Sequence, residues 1–205
     1  MGELDGKVAI VTGAGRLRGI GRAAAVELAR LGADVVITGT GRNPDTFPTD
    51  EKSAGWRDIE SVAEQIREYG VRAFPMVVDV TSPADVQNMV DSTIRELGRV
   101  DILINNAAFQ RGVDRVPILD LDQDIFQKVL DIKVTGTFLC TKAVLKHLVD
   151  QGDGGKIVNI SSIAGKRGSV NTLAYNAANF AIVGMTQSMA QELGPHGINV
   201  NAVCP

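Results

Sequence analysis

The chain has 205 residues, of which 44% are apolar and 22% charged, and its formal net charge is −3. That is enough for one soluble domain with a sizeable core. The lack of any basic stripe argues against a nucleic-acid binder, no apolar run reaches bilayer length, and two cysteines and two histidines give no cluster at metal-ligand spacing.

The polar N-terminus runs straight into a short β-branched stretch, Lys7–Val11, which predicts a strand, and no signal peptide is visible. Gly21–Leu31 carries apolar residues at helical spacing and is stopped by Gly32. Between the two lies Thr12-Gly13-Ala14-Gly15-Arg16-Leu17-Arg18-Gly19-Ile20-Gly21. A glycine-rich turn between a strand and a helix, at the start of a βαβ unit, lets a pyrophosphate approach the free N–H groups of the helix N-terminus.

Asp34–Thr38 is the second predicted strand. A polar stretch follows, roughly Gly39–Trp56, which is either a functional loop or a tolerated surface insertion. Arg57–Glu68 reads as a helix and Ala73–Val80 as a strand. Ser82-Pro83 is a helix start, with a hydroxyl cap before a first-turn proline, and that helix runs to Leu97. Asp101–Asn105 is a strand, Asp122–His147 one long helix, Lys156–Ile160 a strand, Ala174–Leu193 a helix and Ile198–Val203 a strand. Six strands alternating with helices predict a three-layer α/β domain: a doubly wound parallel sheet of the Rossmann type, spanning residues 1–205 as one domain. The strands read as nearly continuous apolar runs, as expected where both sheet faces are covered.

Dinucleotide folds often place an acid at the end of the second strand to hold the adenosine ribose. Here Val36-Ile37-Thr38-Gly39-Thr40-Gly41-Arg42 has none. Arg42, with Arg16 and Arg18 in the glycine loop, suits a 2′-phosphate, so the reading prefers NADP(H) over NAD(H). Cys140 and Cys204 lie in apolar surroundings, and buried free thiols suit a reducing cytosol.

These motifs resemble the short-chain dehydrogenase/reductase family over essentially the whole chain. Thr12 through Gly21 looks like its Thr-Gly-x-x-x-Gly-x-Gly loop, two residues longer. Asp79-Val80 falls where the family contacts adenine. Asn105-Asn106-Ala107-Ala108 is similar to its Asn-Asn-Ala-Gly motif, and Ser162 precedes Tyr175 at the family's separation. The resemblance implies an oxidoreductase that interconverts a carbonyl and a secondary alcohol. Cofactor residues would be Gly13, Gly15, Arg16, Arg18, Gly19, Ile20, Gly21, Arg42, Asp79, Val80, Asn106 and Ala107, with no metal. It further implies a small-molecule substrate, a homotetramer or homodimer built through the two long helices, and a substrate-covering segment after Pro205 that the sequence lacks.

In that family a tyrosine moves the proton, a serine holds the substrate oxygen, a lysine four residues after the tyrosine favours the phenolate, and an asparagine on the preceding long helix supports a water. Tyr175 and Ser162 fill the first two roles. Asn179 stands where the lysine is expected, and Lys133 stands where the asparagine is expected. The paired departure predicts that Lys133 supplies the missing ammonium from the facing helix, with Asn179 one turn from Tyr175. The alternative is a catalytically weak or inactive nucleotide-binding relative.

Overall fold

The computed structural model describes residues 2–110 and 112–205. Six parallel strands form one sheet: β1 (Val8–Val11), β2 (Asp34–Gly39), β3 (Ala73–Val77), β4 (Ile102–Asn105), β5 (Gly155–Ile160) and β6 (Ile198–Val203). Their order is β3-β2-β1-β4-β5-β6. The chain moves outward from β1 to β3 and then returns to lay β4 on the other side of β1. That reversal opens a crevice beyond the carboxyl ends of β1 and β4, where open α/β sheets bind ligands.

The helices are α1 (Ile20–Arg30), α2 (Thr49–Ser53), α3 (Ile59–Arg67), α4 (Pro83–Leu97), α5 (Gln123–Leu130), α6 (Gly136–Gln151) and α7 (Leu173–Leu193). The two-residue period of the strands sorts the core. Ala9, Val11, Val35 and Ile37 pack with Ala25 and Ala29 of α1 and Val62 and Ile66 of α3. Ile10, Val36, Leu103 and Ile157 pack with Met89 of α4, Val144 and Leu148 of α6 and Leu193 of α7. Each buried valine, leucine, isoleucine or methionine among them contributes roughly 1.5–3 kcal/mol, and each alanine less.

The edges depart from the apolar reading for a physical reason. β3 contains Pro75, whose missing N–H is tolerated because β3 pairs only with β2. β6 alternates, with Ile198 and Val200 buried and Asn199 and Asn201 exposed, as an edge strand covered on one face does. Ser82 caps α4 by accepting from the Asp85 N–H at 3.2 Å, and Gly98 ends that helix in the left-handed region. Cys140 is buried, and burial pushes its thiol up to about 12, whereas Cys204 is only half-buried. No helix among the described residues is long and apolar enough to cross a membrane.

Two predicted elements change character. The predicted helix Asp122–His147 is interrupted by one π-turn, Asp131–Thr135, between α5 and α6. The stretch Gly39–Trp56 is not a loose surface insertion, because it contains α2 and buries Phe47, Glu51 and Trp56.

Below the crevice, Asp101 ties β4 to β1. Its carboxylate accepts from the Val8 N–H at 2.9 Å, from Lys7 Nζ at 3.1 Å and from Arg99 Nε at 2.8 Å. Burial works to raise this carboxyl, but Arg99, the Val8 N–H and Lys7 outweigh it and hold it below the ordinary carboxylate range. The stabilisation is therefore fully present above the unfolded value of about 3.9 and is lost as pH falls through the folded one. Asp101→Ala is expected to cost about 3 kcal/mol in urea unfolding at neutral pH, because it leaves the Val8 N–H unpaired in the interior. A midpoint within error of wild type would show that the cluster contributes nothing net.

Candidate active site

The glycine loop is anchored to β4 before it meets any ligand. Thr12 Oγ1 accepts from the Asn106 N–H at 3.0 Å and the Ala107 N–H at 3.1 Å. Asn106 Nδ2 donates to the carbonyls of Thr12 at 2.9 Å and Gly13 at 2.8 Å. Asn106 and Ala107 thus brace the cradle. Gly13 has φ +66°, and a Cβ there would lie 2.8 Å from the Ala107 Cα, so only glycine fits. At the loop's end, Gly19 precedes α1 with no side-chain cap, and no acid occupies the first turn. Ile20 is exposed there and Gly21 is buried. Uncapped N–H groups at the positive end of the helix dipole fit a pyrophosphate.

The stretch after β2 folds onto this loop. Trp56 Nε1 and Arg42 Nη2 both donate to the Gly15 carbonyl, at 2.6 and 3.1 Å. Glu51 accepts from the Leu17 N–H at 3.0 Å. A Cβ on Gly15 would overlap the Asp58 carboxylate, so this glycine makes room for a protein side chain.

Arg42 is not the free guanidinium expected from the sequence. It pairs with Glu51 at 2.7 Å and with Asp58 at 3.1 Å, and lies over the Phe47 ring at 4.5 Å. Burial opposes its charge, but Glu51 and Asp58 outweigh that and raise its pKa further above the ordinary arginine range. Two carboxylates therefore flank this one guanidinium. Asp58 holds φ +54°, which is uncommon for a side chain with a Cβ, and its grip on Arg42 offsets the strain. Arg18 is exposed and pairs with Asp50 at 3.0 Å, and Arg16 is half-buried. Sequence reasoning missed Glu51, Trp56 and Asp58, because only the fold brings them to β2.

Asp79 and Val80 lie in the turn from β3 to α4. Asp79 is exposed and accepts from Thr81 at 2.9 and 2.8 Å, while Val80 is buried against Gly136 of α6.

On the other side of β1, Lys133, Tyr175 and Asn179 line one cavity of about 250 Å³, together with Phe109, Asp114 and Arg115. The π-turn carries Lys133. One extra residue in the helical turn shifts the face that follows, and π-turns recur at functional sites for that reason. Lys133 is 5% exposed, and its Nζ donates to the Ile160 carbonyl at the end of β5 at 2.5 Å. Burial lowers its pKa to about 8. Among the described residues no carboxylate comes within ion-pair distance of this ammonium.

Asn179 is buried and donates from Nδ2 to the Tyr175 carbonyl at 2.8 Å, while its own carbonyl accepts from Ser161 at 3.0 Å. Ser162 is also buried at the end of β5, and its Oγ donates to the Pro205 carbonyl at 3.4 Å. It is not one of the cavity's walls.

Arg115 was not anticipated. Its guanidinium carbon lies 3.9 Å from the centroid of the Tyr175 ring. Beneath the cavity, Asn105 donates to Thr141 at 3.1 Å and to Asn159 at 2.9 Å, and Asn159 donates to Thr186 at 2.9 Å. This buried chain of amides and hydroxyls joins β4 and β5 to α6 and α7 and stiffens the floor of the site. A wider, open depression lined by Val149, Asp153 and His196 lies at the opposite end of β5, far from these groups.

A family model described as short chain dehydrogenase matches residues 7–205. The short chain dehydrogenase/reductase astE of Aspergillus oryzae is 41% identical over 203 residues, covering 99% of this chain and 71% of that protein. Among solved structures, an NAD+-bound xylitol dehydrogenase superposes with a TM-score of 0.85 at 38% identity, over 99% of this chain and 71% of that one. A carveol dehydrogenase from Mycobacterium avium in complex with NAD gives 0.87 at 35% identity, over 100% and 72%.

Proposed function

The chain belongs to the short-chain dehydrogenase/reductase family, and we propose that it interconverts a secondary alcohol and a carbonyl with Tyr175 as the proton-transfer group and Lys133 as the cation that serves it. The observation that carries this reading is the shared cavity of Lys133, Tyr175 and Asn179. A bound nicotinamide supplies the hydride acceptor or donor. The residues of the chain do the rest. Tyr175 takes the proton from the alcohol or returns it to the carbonyl oxygen, and Ser162, which stands outside the cavity's walls, turns its hydroxyl from the Pro205 carbonyl to hold that oxygen. The ammonium of Lys133 favours the phenolate, since opposite charges in a partly dry cavity attract appreciably. Asn179 keeps the first turn of α7 in place through its bond to the Tyr175 carbonyl.

The cofactor preference follows from the end of β2. The NADP(H) reading rests on Arg42 with Arg16 and Arg18, but Glu51 and Asp58 already hold Arg42 and Asp50 pairs with Arg18. A 2′-phosphate would meet the Glu51 and Asp58 carboxylates around Arg42 rather than a free guanidinium, which supports NAD(H) as the favoured cofactor. Trp56 is the chain's single tryptophan and bonds the glycine loop, so its fluorescence reports binding without turnover. NAD(H) should bind about tenfold or more tightly than NADP(H), and Asp58→Asn should narrow the gap. Tighter binding of NADP(H) by the unaltered protein would reverse the assignment.

Turnover is tested by mixing the protein with NAD+ and a panel of aliphatic, cyclic and polyol secondary alcohols. Appearance of reduced nicotinamide supports the enzymatic reading. Cofactor binding without reduction across the panel would favour a nucleotide-binding protein that does not turn over.

A further inference from the structure

The guanidinium of Arg115 has no role in the proton transfer described above, yet it forms part of the same cavity. It lies flat enough on the Tyr175 ring to bring its carbon within 3.9 Å of the centroid. The loop between β4 and α5 carries it. Its Nε is buried and 3.2 Å from Asp114 Oδ2, but makes no hydrogen bond of acceptable geometry. Asp114 is itself 3% exposed and accepts from the Gly112 N–H at 3.2 Å. Among the described residues, Nε is the Arg115 nitrogen that is buried without a hydrogen-bond partner, while the side chain as a whole stays 24% exposed.

A half-buried guanidinium pinned from behind by a carboxylate and from below by an aromatic ring has lost most of its conformational freedom. Its unused fork offers two parallel N–H donors, the geometry that matches a carboxylate. The charges in the cavity agree with this. Arg115 and Lys133 are the cationic groups in its walls and Asp114 the anionic one, so the protonated cavity carries one net positive charge.

We propose that Arg115 binds a carboxylate carried by the substrate, so that the protein acts on hydroxy acids and their oxo-acid partners. The carboxylate sits on the guanidinium, and the carbon that bears the hydroxyl then lies near the Tyr175 oxygen, one or two bonds further along the chain. Asp114, 3.2 Å from Nε, attracts Arg115 by charge from that side. Its own negative charge is spent on the Nε side, away from the fork. This assignment rests on the reading of the cavity as the substrate site, but its test does not need turnover.

The test compares a carboxylate with a neutral compound of the same shape. Butanoate and, separately, butyramide are titrated into the NADH-loaded protein by calorimetry. The expected result is butanoate binding at least about tenfold more tightly, a preference that Arg115→Met removes. Arg115→Lys keeps the charge but loses the fork, and should retain only part of the preference, which also guards against a methionine variant that folds poorly. Lys133→Met should leave the preference largely in place. Equal binding of the two compounds, binding of neither in the millimolar range, or a preference that survives Arg115→Met and follows Lys133 instead would each overturn the proposal. If no alcohol is oxidised but the butanoate preference follows Arg115, the catalytic reading fails and the carboxylate site stands.

Discussion

Tyr175→Phe should lower kcat by about a thousandfold, with little change in cofactor affinity. The substitution removes one oxygen and keeps the ring. The packing of Arg115 on that ring survives, as does the Asn179 bond, which goes to the backbone carbonyl rather than to the phenol. What is lost is the group that passes the proton, and a positioned acid or base contributes typically 10²–10⁴ in rate. The comparison is made on whichever alcohol the panel identifies, with Trp56 fluorescence as the control for binding. A Phe variant that keeps more than about a tenth of wild-type turnover would mean that another group moves the proton. Because the cavity is retained, such a result could not be blamed on collapse of the site.

The sheet was legible in the sequence because its signals are local. β-branched runs, Ser82-Pro83 before α4 and a glycine after α1 and α4 each dictate their own geometry, and alternation of strand and helix dictates a parallel sheet. The places of the glycine loop between β1 and α1 and of Tyr175 on α7 were legible for the same reason, since their motifs occupy a few consecutive residues. Two features were hidden. The first is the π-turn at Asp131–Thr135. Its residues have no composition that distinguishes them from an α-helix, and the apolar period runs through them. The second is the pairing of Arg42 with Glu51 and Asp58. These residues stand nine and sixteen positions away, in a stretch whose polarity reads as solvated loop. Counting charges near β2 found a cation, whereas folding brings in two anions that pair with it. Arg115 was missed because a single arginine in a loop gives no signal until a ring is found beneath it.

Lys133→Met is expected to reduce kcat about a hundredfold and to change how the rate depends on pH. A unit charge about 4 Å from a phenolate is worth roughly 4 kcal/mol at an effective dielectric of ~20, an upper figure for a cavity open to some water. With its pKa lowered to about 8, Lys133 is charged below that value and loses its charge above it. Wild-type turnover should therefore decline on the alkaline side of an inflection near 8, and the methionine variant should lack that inflection. The same group leaves a mark on stability. Its folded pKa lies below its unfolded value, so the folded state binds fewer protons between about 8 and 10.4 and stability rises with pH across that window. Methionine should flatten the rise. Asn179 lines the same cavity one helical turn from Tyr175, so adding Asn179→Lys to the methionine variant returns an ammonium to the site from the other helix. Partial recovery of turnover, with its alkaline limb, is the outcome that identifies charge rather than shape as the missing element. If Lys133→Met left both the rate and the pH profile as they were, the exchange of lysine and asparagine between α7 and the π-turn would have no catalytic meaning.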